Sequence, residues 1–490
     1  MSFITPDAFE LLNVWFYTNR LFISNEKNSQ NKIDISNSLA EISIYENIGI
    51  PYLTANMTYV DDLNLFEMPG VIGTERIELN VATPITSSSS EQYITTKRFV
   101  ISGINASQKS NESVSVYNIS LIEDHGYFNF VQKISRSYYG KGEDIIKKIL
   151  SDTLSKELEL GLNDFKPFKE SVQDPMRYNI PYIRPLDAAK VILSNMTTPH
   201  GMPYFLYSTI HSDRLILTDL ETILENKPFN KDKVATFSPA SSYTGGNILD
   251  QMFNISKYAI SSSPNEETLK LADKGGLGFK YENINGSSGS YYNQSLNYKN
   301  FILPWLQNID EATGNNALGL LVDDDLFDPD PANQFDQDND TPRLGEYNSS
   351  VFSNISADNF LPNKEIGISG NKTFLNDVVR DATMFYLTKN VYDIEMSGLA
   401  FLFKDVYRCV GGQINISVNE DNGLSSSYNK SSRSEKKSGN YVILTKHHLF
   451  TPHNNKHRVS MQVSRITNRV SRDGVRMVEM LPSAQGSGPR

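Results

Sequence analysis

Between Lys32 and Leu121, apolar and polar residues alternate in short runs, parted by clusters of Gly, Pro, Asn and Ser. The runs are "KIDISNSLAEISIYENI", "PYLTANMTYV", "TERIELNV", "YITTKRFVISGI" and "VSVYNISLI". Each has the period of two that turns one face of a strand to a core and the other to water. Together they predict a small antiparallel barrel or sandwich. The stretch "TYVDDLNLFEMPGVIGTERIEL", residues 58–79, leaves one strand, breaks at Pro-Gly and enters the next, and it holds no residue set that looks like chemistry.

The period then lengthens. "GKGEDIIKKILSDTLSKEL" sets Ile145, Ile149, Leu150 and Leu154 on one helical face, with Glu143 and Asp144 in the first turn, where the helix dipole favours acids. "IRPLDAAKVILSNM" predicts a second helix, with Pro185 in its first turn and Leu186, Ala189 and Leu193 as the buried stripe. "MPYFLYSTIHSDRLILTDL" reads as a hairpin turning at His211, Ser212 and Asp213. Residues from about 136 to 235 are therefore expected to form an α+β module.

From Gly245 to Asn371 the patterning weakens. "DKGGLGFKYENINGSSGSYYNQ" is rich in Gly and Ser, and "DDDLFDPDPANQFDQDNDTP" is an acidic, proline-broken run that reads as an exposed loop. "TFLNDVVRDATMFYLTKN" then predicts a helix, with Leu375, Val378, Val379, Ala382 and Phe385 or Tyr386 at helical spacing. Strands resume in "VYDIEMSGLAFLF", "GGQINISV", "NYVILTKHHLF" and "HRVSMQVSRI", and "SAQGSGPR" reads as a flexible tail.

The late strands echo the early ones. "GTERIELNV" and "VGGQINISV" each bring a Gly-bearing turn into a strand, so that Ile77, Leu79 and Val81 answer Ile414, Ile416 and Val418. "RFVISGI" and "NYVILTK" follow in turn, then "VSVYNISLI" and "RVSMQVSRI". A duplicated barrel explains the repeated order; chance likeness between strands of one class is the alternative.

Composition narrows the class. A chain of 490 residues has room for two to four domains, and 39% apolar, 11% aromatic and 21% charged residues describe a folded protein, not a disordered one. The net charge of -11 argues against a surface that grips nucleic acid by its phosphates, though not against DNA passing by. A single cysteine, Cys409, excludes an intrachain disulfide framework and a Cys-rich zinc site, and fits maturation in a reducing cytoplasm. The first residues lack a basic segment and are interrupted by Asp7, Glu10 and Asn13, so no signal peptide is expected. No run of about 18 apolar residues follows, and no membrane anchor is expected either.

Candidate chemistry is sparse. His447, His448, His453 and His457 crowd into "TKHHLFTPHNNKH", but neighbours on a strand face opposite ways, and a polar hairpin rim is the simpler reading than a metal site. Asp336, Asp338 and Asp340 alternate as in a calcium loop, yet Thr341 and Tyr347 stand where that loop needs Gly and Glu. "GKGED" lacks the spacing of a phosphate-cradling loop and reads as a turn before a helix. No serine-hydrolase elbow, zinc-protease helix or paired Cys and His set occurs. No catalytic, cofactor-binding or metal residue is nominated.

The order of these elements resembles the central baseplate hub proteins of contractile-tailed bacteriophages, the hub family of the T-even phages, and more distantly the hub portion of type VI secretion spikes. Four places carry the resemblance: the opening through "MPGVIGTERIELNV"; "SRSYYGKGEDIIKKILSDTL" with the proline-started helix and aromatic hairpin after it; "FLNDVVRDATMFYLTKNVYDIEMSGLAFLFKDVYRCVGGQINISV"; and "SGNYVILTKHHLFTPHNNKHRVSMQVSRITNR". It covers about 40–235 and 370–470. It implies a mainly β chain with an α+β module: two similar antiparallel β-barrel domains, a small α+β domain and an irregular insert. The expected domains are a first barrel over 1–135, the α+β domain over 136–235 and an insert with the acidic loop over 236–372. A helix with the second barrel over 373–475 and a tail over 476–490 complete the chain.

The resemblance further implies a non-enzymatic homotrimer whose six barrels make a pseudo-sixfold ring in the virion's tail baseplate, assembled in the host cytoplasm. Such a ring joins a tail tube initiator or tube protein to a central spike, touches other baseplate proteins, and lets DNA pass without specific binding. Leu65, Phe66 and Met68 are candidate interface residues for a neighbouring barrel or tube protein, the alternative being that they cap their own barrel. A tail-associated peptidoglycan hydrolase would need a carboxylate pair or zinc set that the sequence does not display. A carbohydrate-binding or receptor-binding β-protein would draw on the aromatic strands, but fibres show long repeats and the helices at 143–159 and 374–389 argue against one.

Overall fold

Alternating β-branched and aromatic positions dictate strands, and strands dominate the chain. The computed structural model describes residues 6–17, 32–61, 65–66, 75–84, 92–111, 114–161, 171, 176–194, 196, 198, 202–238, 248–261, 278–285, 291–297, 350–356, 383, 387, 391–403, 408–420, 432–433 and 437–466. The acidic run 323–340, the expected tail and Met68 lie outside them, as does the helix expected over 374–389 apart from Thr383 and Leu387, which are helical and buried.

The first barrel uses β1 (Glu10–Tyr17), β2 (Lys32–Asp34), β3 (Leu39–Asn47), β4 (Thr54–Asp61), β5 (Arg76–Ala82), β6 (Ile94–Asn111) and β7 (Val114–Glu123). Its sheet order is β2-β1-β5-β6-β7-β4-β3. Between β2 and β3 the chain bends through a 3-10 turn at Ser36–Ser38, so one bent stretch bonds β1 at its start and β4 at its end. At the bend the Val14 amide donates to Ser36 Oγ at 2.7 Å and the Ile35 amide donates to the Val14 carbonyl at 2.9 Å. The interior is apolar, with Ile42, Met57, Ile77, Phe99 and Ile119 all buried.

The α+β module follows as α1 (Asp124–Val131), β8 (Ile134–Gly140), α2 (Gly142–Ile149), β9 (Leu158–Leu160), β10 (Met176–Ile183), α3 (Pro185–Ser194), β11 (Tyr204–Thr209), β12 (Ser212–Asp219) and α4 (Leu220–Glu225). The expected helical face is buried at Ile145, Ile149, Leu150 and Leu154, although its last turn, Leu150–Leu154, widens to a π-helix. Pro185 starts α3, whose Leu186 amide donates to Asn129 Oδ1 of α1 at 2.8 Å. The aromatic hairpin is β11–β12, and every residue of β11 is buried.

The second barrel is assembled from β13 (Ala235–Phe237), β14 (Asn254–Ile260), β18 (Val391–Ser397), β19 (Gln413–Glu420), β21 (Gly439–Thr451) and β22 (Lys456–Arg465). Helix α5 (Ile248–Met252) lies before β14, and β20 (Ser432–Arg433) is a short addition to β19. Strands β15 (Gly278–Asn285), β16 (Tyr291–Asn297) and β17 (Ser350–Ser356) form a separate sheet. The barrel runs β21-β22-β18-β14-β13-β19 and closes where β19 pairs β21. Its first two strands thus come from 235–260, within or at the edge of the stretch read as insert from 236. Three residues of β13 are too few to display a period, and the Gly- and Ser-rich chain after Ile260 hides β14.

The barrels are duplicates strand by strand. Read from β1, the first follows β1-β5-β6-β7-β4-β3; read from β13, the second follows β13-β19-β21-β22-β18-β14. Register agrees as well: Ile77 lies opposite Phe99 as Ile414 lies opposite Tyr441, and Ile101 opposite Leu121 as Ile443 opposite Val463. Even the bulges recur, at Ser102 and Leu444 on the long strand and at Ala40 and Ser256 on the strand before the insert. The register sets Ile119 against Met461, a shift of two from matching "VSVYNISLI" to "RVSMQVSRI" end to end. Only the sixth strand differs: β1 runs antiparallel to β5, whereas β13 runs parallel to both its neighbours.

A glycine fixes how the module meets the second barrel. Gly411, at φ +79, donates its amide to the Ile443 carbonyl at 2.8 Å, and a Cβ there would lie 2.7 Å from the Oη of buried Tyr207. Gly411→Ala is therefore expected to destabilise the chain by about 1–3 kcal/mol, from backbone strain plus the displaced ring; thermal unfolding beside Gly49→Ala, where a Cβ meets only the end of the Asn47 side chain, measures it.

Candidate assembly site at the barrel junction

One strand edge joins the two barrels. Residues Ile42–Asn47 of β3 pair antiparallel with Thr445–Phe450 of β21, so a single sheet passes from the first barrel into the second. β21 serves two neighbours in succession: Gly439–Val442 bond β19, the bulge at Leu444 intervenes, and the rest bonds β3.

The strand period turns Ile42, Ile44 and Glu46 inward, and Glu46 is 1% exposed. Its carboxylate is met from two other parts of the chain, β21 and the β11–β12 hairpin. Lys446 of β21 places Nζ 3.4 Å from Oε2, the Ile210 amide at the tip of the β11–β12 hairpin donates to Oε1 at 2.8 Å, and Thr209 Oγ1 donates to the same oxygen at 3.3 Å. His448 Nε2 lies 3.6 Å from Oε1. Burial alone would raise the Glu46 pKa, but the Lys446 ammonium, followed by His448, holds it well below the usual carboxylate range. Lys446 also donates to the Arg408 carbonyl at 2.6 Å and sits over the Phe401 ring.

Histidines continue the network inward. His448 Nδ1 and His457 Nε2 are 3.0 Å apart, and the rings of His448, Phe450 and His457 stack. Burial and then Lys446 push the His448 pKa down to about 4, and burial with His448 carries His457 well below its ordinary value. His447 faces the other way and stacks on Tyr45 at 4.4 Å. Among the described residues, no group of three or more His, Cys, Asp and Glu is placed to hold a metal.

A second buried pair ties the hairpin to the first barrel. Lys97 of β6 lies 3.7 Å from Glu123 of β7 and donates to the Ser212 carbonyl at 2.6 Å; Glu123 accepts from Ser208 Oγ at 2.7 Å and the Leu53 amide at 3.0 Å. Burial would raise the Glu123 pKa, and Lys97 with His125 brings it below its ordinary value.

Of the candidate interface residues, Leu65 and Phe66 sit elsewhere. Leu65 is buried in the core of the first barrel, and half-buried Phe66 packs against Phe16, Tyr59 and Tyr117 with ring centroids 5.9, 5.5 and 5.2 Å away. Asp61 holds this turn by accepting from both their amides, at 2.9 and 3.0 Å. Glu46 and Lys446 were missed, though charges at inward positions of "ISIYE" and "VILTK" were the available signal.

Fold and junction define the class: two like β-barrels joined edge to edge and braced by an α+β module. No family model and no curated protein matches the chain. Among solved structures it is similar to the tail protein from Neisseria meningitidis MC58, with 9% identity, a TM-score of 0.47 and coverage of 94% of this chain and 98% of that one. It is similar also to the 43 kDa tail protein of prophage MuSo2 from Shewanella oneidensis, with 9% identity, a TM-score of 0.45 and coverage of 93% and 99%. A third is an E. coli component of the type VI secretion system, with 7% identity, a TM-score of 0.36 and coverage of 89% and 76%.

Glu46→Gln should cost about 3–5 kcal/mol, because it leaves the Lys446 ammonium buried without its counter-charge; chemical denaturation against Glu41→Gln, at an exposed position of the same strand, measures it. Stability should also fall on acidification. His125, His448 and His457 are buried with lowered pKa values, so between pH 6.5 and 4 the unfolded chain binds protons that the fold refuses. Each histidine withdraws up to about 1.4 kcal/mol per pH unit, and Glu46 and Glu123 add their loss below about pH 4.5. A thermal midpoint that stays flat from pH 7 to 5 would contradict this.

Proposed function

We propose that the chain is the structural hub of a contractile phage tail baseplate. Three copies, each contributing two barrels, form a pseudo-sixfold ring that joins the tail tube to the central spike and leaves a channel through which DNA passes. The carrying observation is the strand-by-strand duplication, with register and bulges repeated, because two like barrels per chain let three chains offer six near-equivalent positions. The resemblance of the sequence to phage hub proteins supports the same reading. In it the chain does no chemistry of its own, and the turn at Leu65 and Phe66, with Met68 beyond it, contributes to a face that meets a neighbouring barrel or tube protein. The negative net charge of -11 lets phosphates slide past without sticking.

Light scattering of the purified chain across a concentration series, with negative-stain images of the same sample, tests this. The expected outcome is a particle of about three times the 55.2 kDa chain mass with six lobes. A monomer at every concentration would overturn self-assembly of the ring and direct attention to carbohydrate binding.

A further inference from the structure

The junction between the barrels occurs once inside the chain, yet duplication supplies its two halves a second time. β6 is the counterpart of β21. Its Ile94–Val100 bond β5, as Gly439–Val442 of β21 bond β19, and the same bulge follows. Beyond that bulge β21 turns its edge to β3, whereas the equivalent edge of β6, from Gly103 to Asn111, meets no strand among the described residues. β14 is the counterpart of β3. Its free side is covered by β13 only at Asn254 and Ile255, so from Ser256 to Ser261 the edge away from β18 is also without a strand among the described residues.

The side chains at these edges are more exposed than their counterparts. Ile44 on β3 corresponds to Ile260 on β14, since each lies two places beyond the matched pair Ile42 and Tyr258. Ile44, with β21 beside it, is 0% exposed, and Ile260 is 66% exposed. Ile104, just past the bulge of β6, is 43% exposed, where its counterpart Lys446 is 1% exposed. The backbone points the same way: the Ser261 amide bonds the Val391 carbonyl on β18, so strand alternation turns the N–H and C=O of Ile260 away from β18, to the side where the described residues place no strand.

We infer that β6 of one copy of the chain pairs antiparallel with β14 of the next, reproducing between chains the junction that β21 and β3 make within one. This deepens the ring reading, on which it rests for its premise that copies of the chain meet. The register follows from shared partners. β6 carries a further bulge at Asn105 that β21 lacks, and beyond it Ala106 faces Asn118 on β7 as His447 faces Ser460 on β22, so Ala106 falls opposite Ser261 of the neighbour, Ser107 opposite Ile260 and Gln108 opposite Ala259. The contact is heterologous, with different edges on its two sides, and therefore propagates head to tail until it closes. Main-chain bonds supply the affinity, and the two exposed isoleucines supply the apolar cover.

The test places Ala106→Cys and Ser261→Cys in one full-length chain. Such a non-hydrogen-bonded antiparallel pair brings Cα atoms to about 4.5 Å, within disulfide range. Cys409 is buried, with its thiol pushed up to about 12, and stays out of the exchange. After oxidation, a non-reducing gel should show a band at three chains for the double variant and only single chains for either variant alone. Peptide mapping of mixed isotope-labelled and unlabelled protein should show the link between chains. In parallel, Ile260→Pro, which removes an outward donor and leaves the β18 ladder intact, should raise the concentration needed for assembly at least tenfold without lowering the chain's thermal midpoint.

A trimer by light scattering that forms no link, even with Asn105→Cys in place of Ala106→Cys, and that survives Ile260→Pro would overturn the edge pairing and leave the ring reading standing. Links running into a ladder beyond three chains would confirm the edge pairing and overturn the closed trimer. Monomers throughout, with no link, would overturn both.

Discussion

A buried carboxylate has to be answered by the groups packed around it, and Glu46 is answered by two parts of the chain that are remote from it and from each other in sequence. The first barrel supplies the charge, the second supplies Lys446, and the module supplies the hairpin tip with the Ile210 amide. None of these can shift without stranding another. The strand pairing of β3 with β21 aligns the two barrels, but sheet pairing by itself tolerates slippage by two residues, which restores the inward and outward faces. Glu46 opposite Lys446 does not tolerate it, because a slip would bury both charges apart. The ion pair is thus a register device, and the hairpin that covers it becomes part of the same lock.

The duplicated bulges point to the same economy of means. A bulge bends a strand and changes which neighbour its edge can reach. On β21 the bulge at Leu444 marks the place where the strand leaves its own barrel and begins to pair with the other. The bulge at Ser102 on β6 occupies the same place relative to its partners. Geometry that would be redundant in a solitary barrel is present in both copies, along with the length of β6 beyond any strand needed to close its own barrel.

Much of this was open to reading in the sequence, for identifiable reasons. The inward apolar sets at Ile77, Leu79 and Val81 and at Ile414, Ile416 and Val418 are all buried, because a half-buried strand leaves its period in composition. The face of α2 was legible for the same reason; on α3 Leu186 and Ala189 are buried as expected, but Ile192 is buried in place of Leu193, which is half-buried. The register between the last strands of the two barrels was not legible, since a period of two survives a shift of two: Ile119 answers Met461, not Val463. β13 was illegible because three residues hold no period, and β14 because the Gly- and Ser-rich chain after Ile260 hides it. The charges at Glu46 and Lys446 stood at inward positions in plain view, but joining them requires a pairing between strands some four hundred residues apart, which neither period nor composition records.

One asymmetry remains in the duplication. The chain passes from β3 to β4 through residues 48–53, whereas the matching passage from β14 to β18 takes residues 261–390 and carries the separate three-stranded sheet. The barrel is thus repeated while its ornament is not. In a ring of the proposed kind, the insert would occur at alternate barrels only. A partner resting on bare barrels would count six, and one that gripped the inserts would count three. A single insertion point would then be enough to let one chain present two different numbers to two different neighbours.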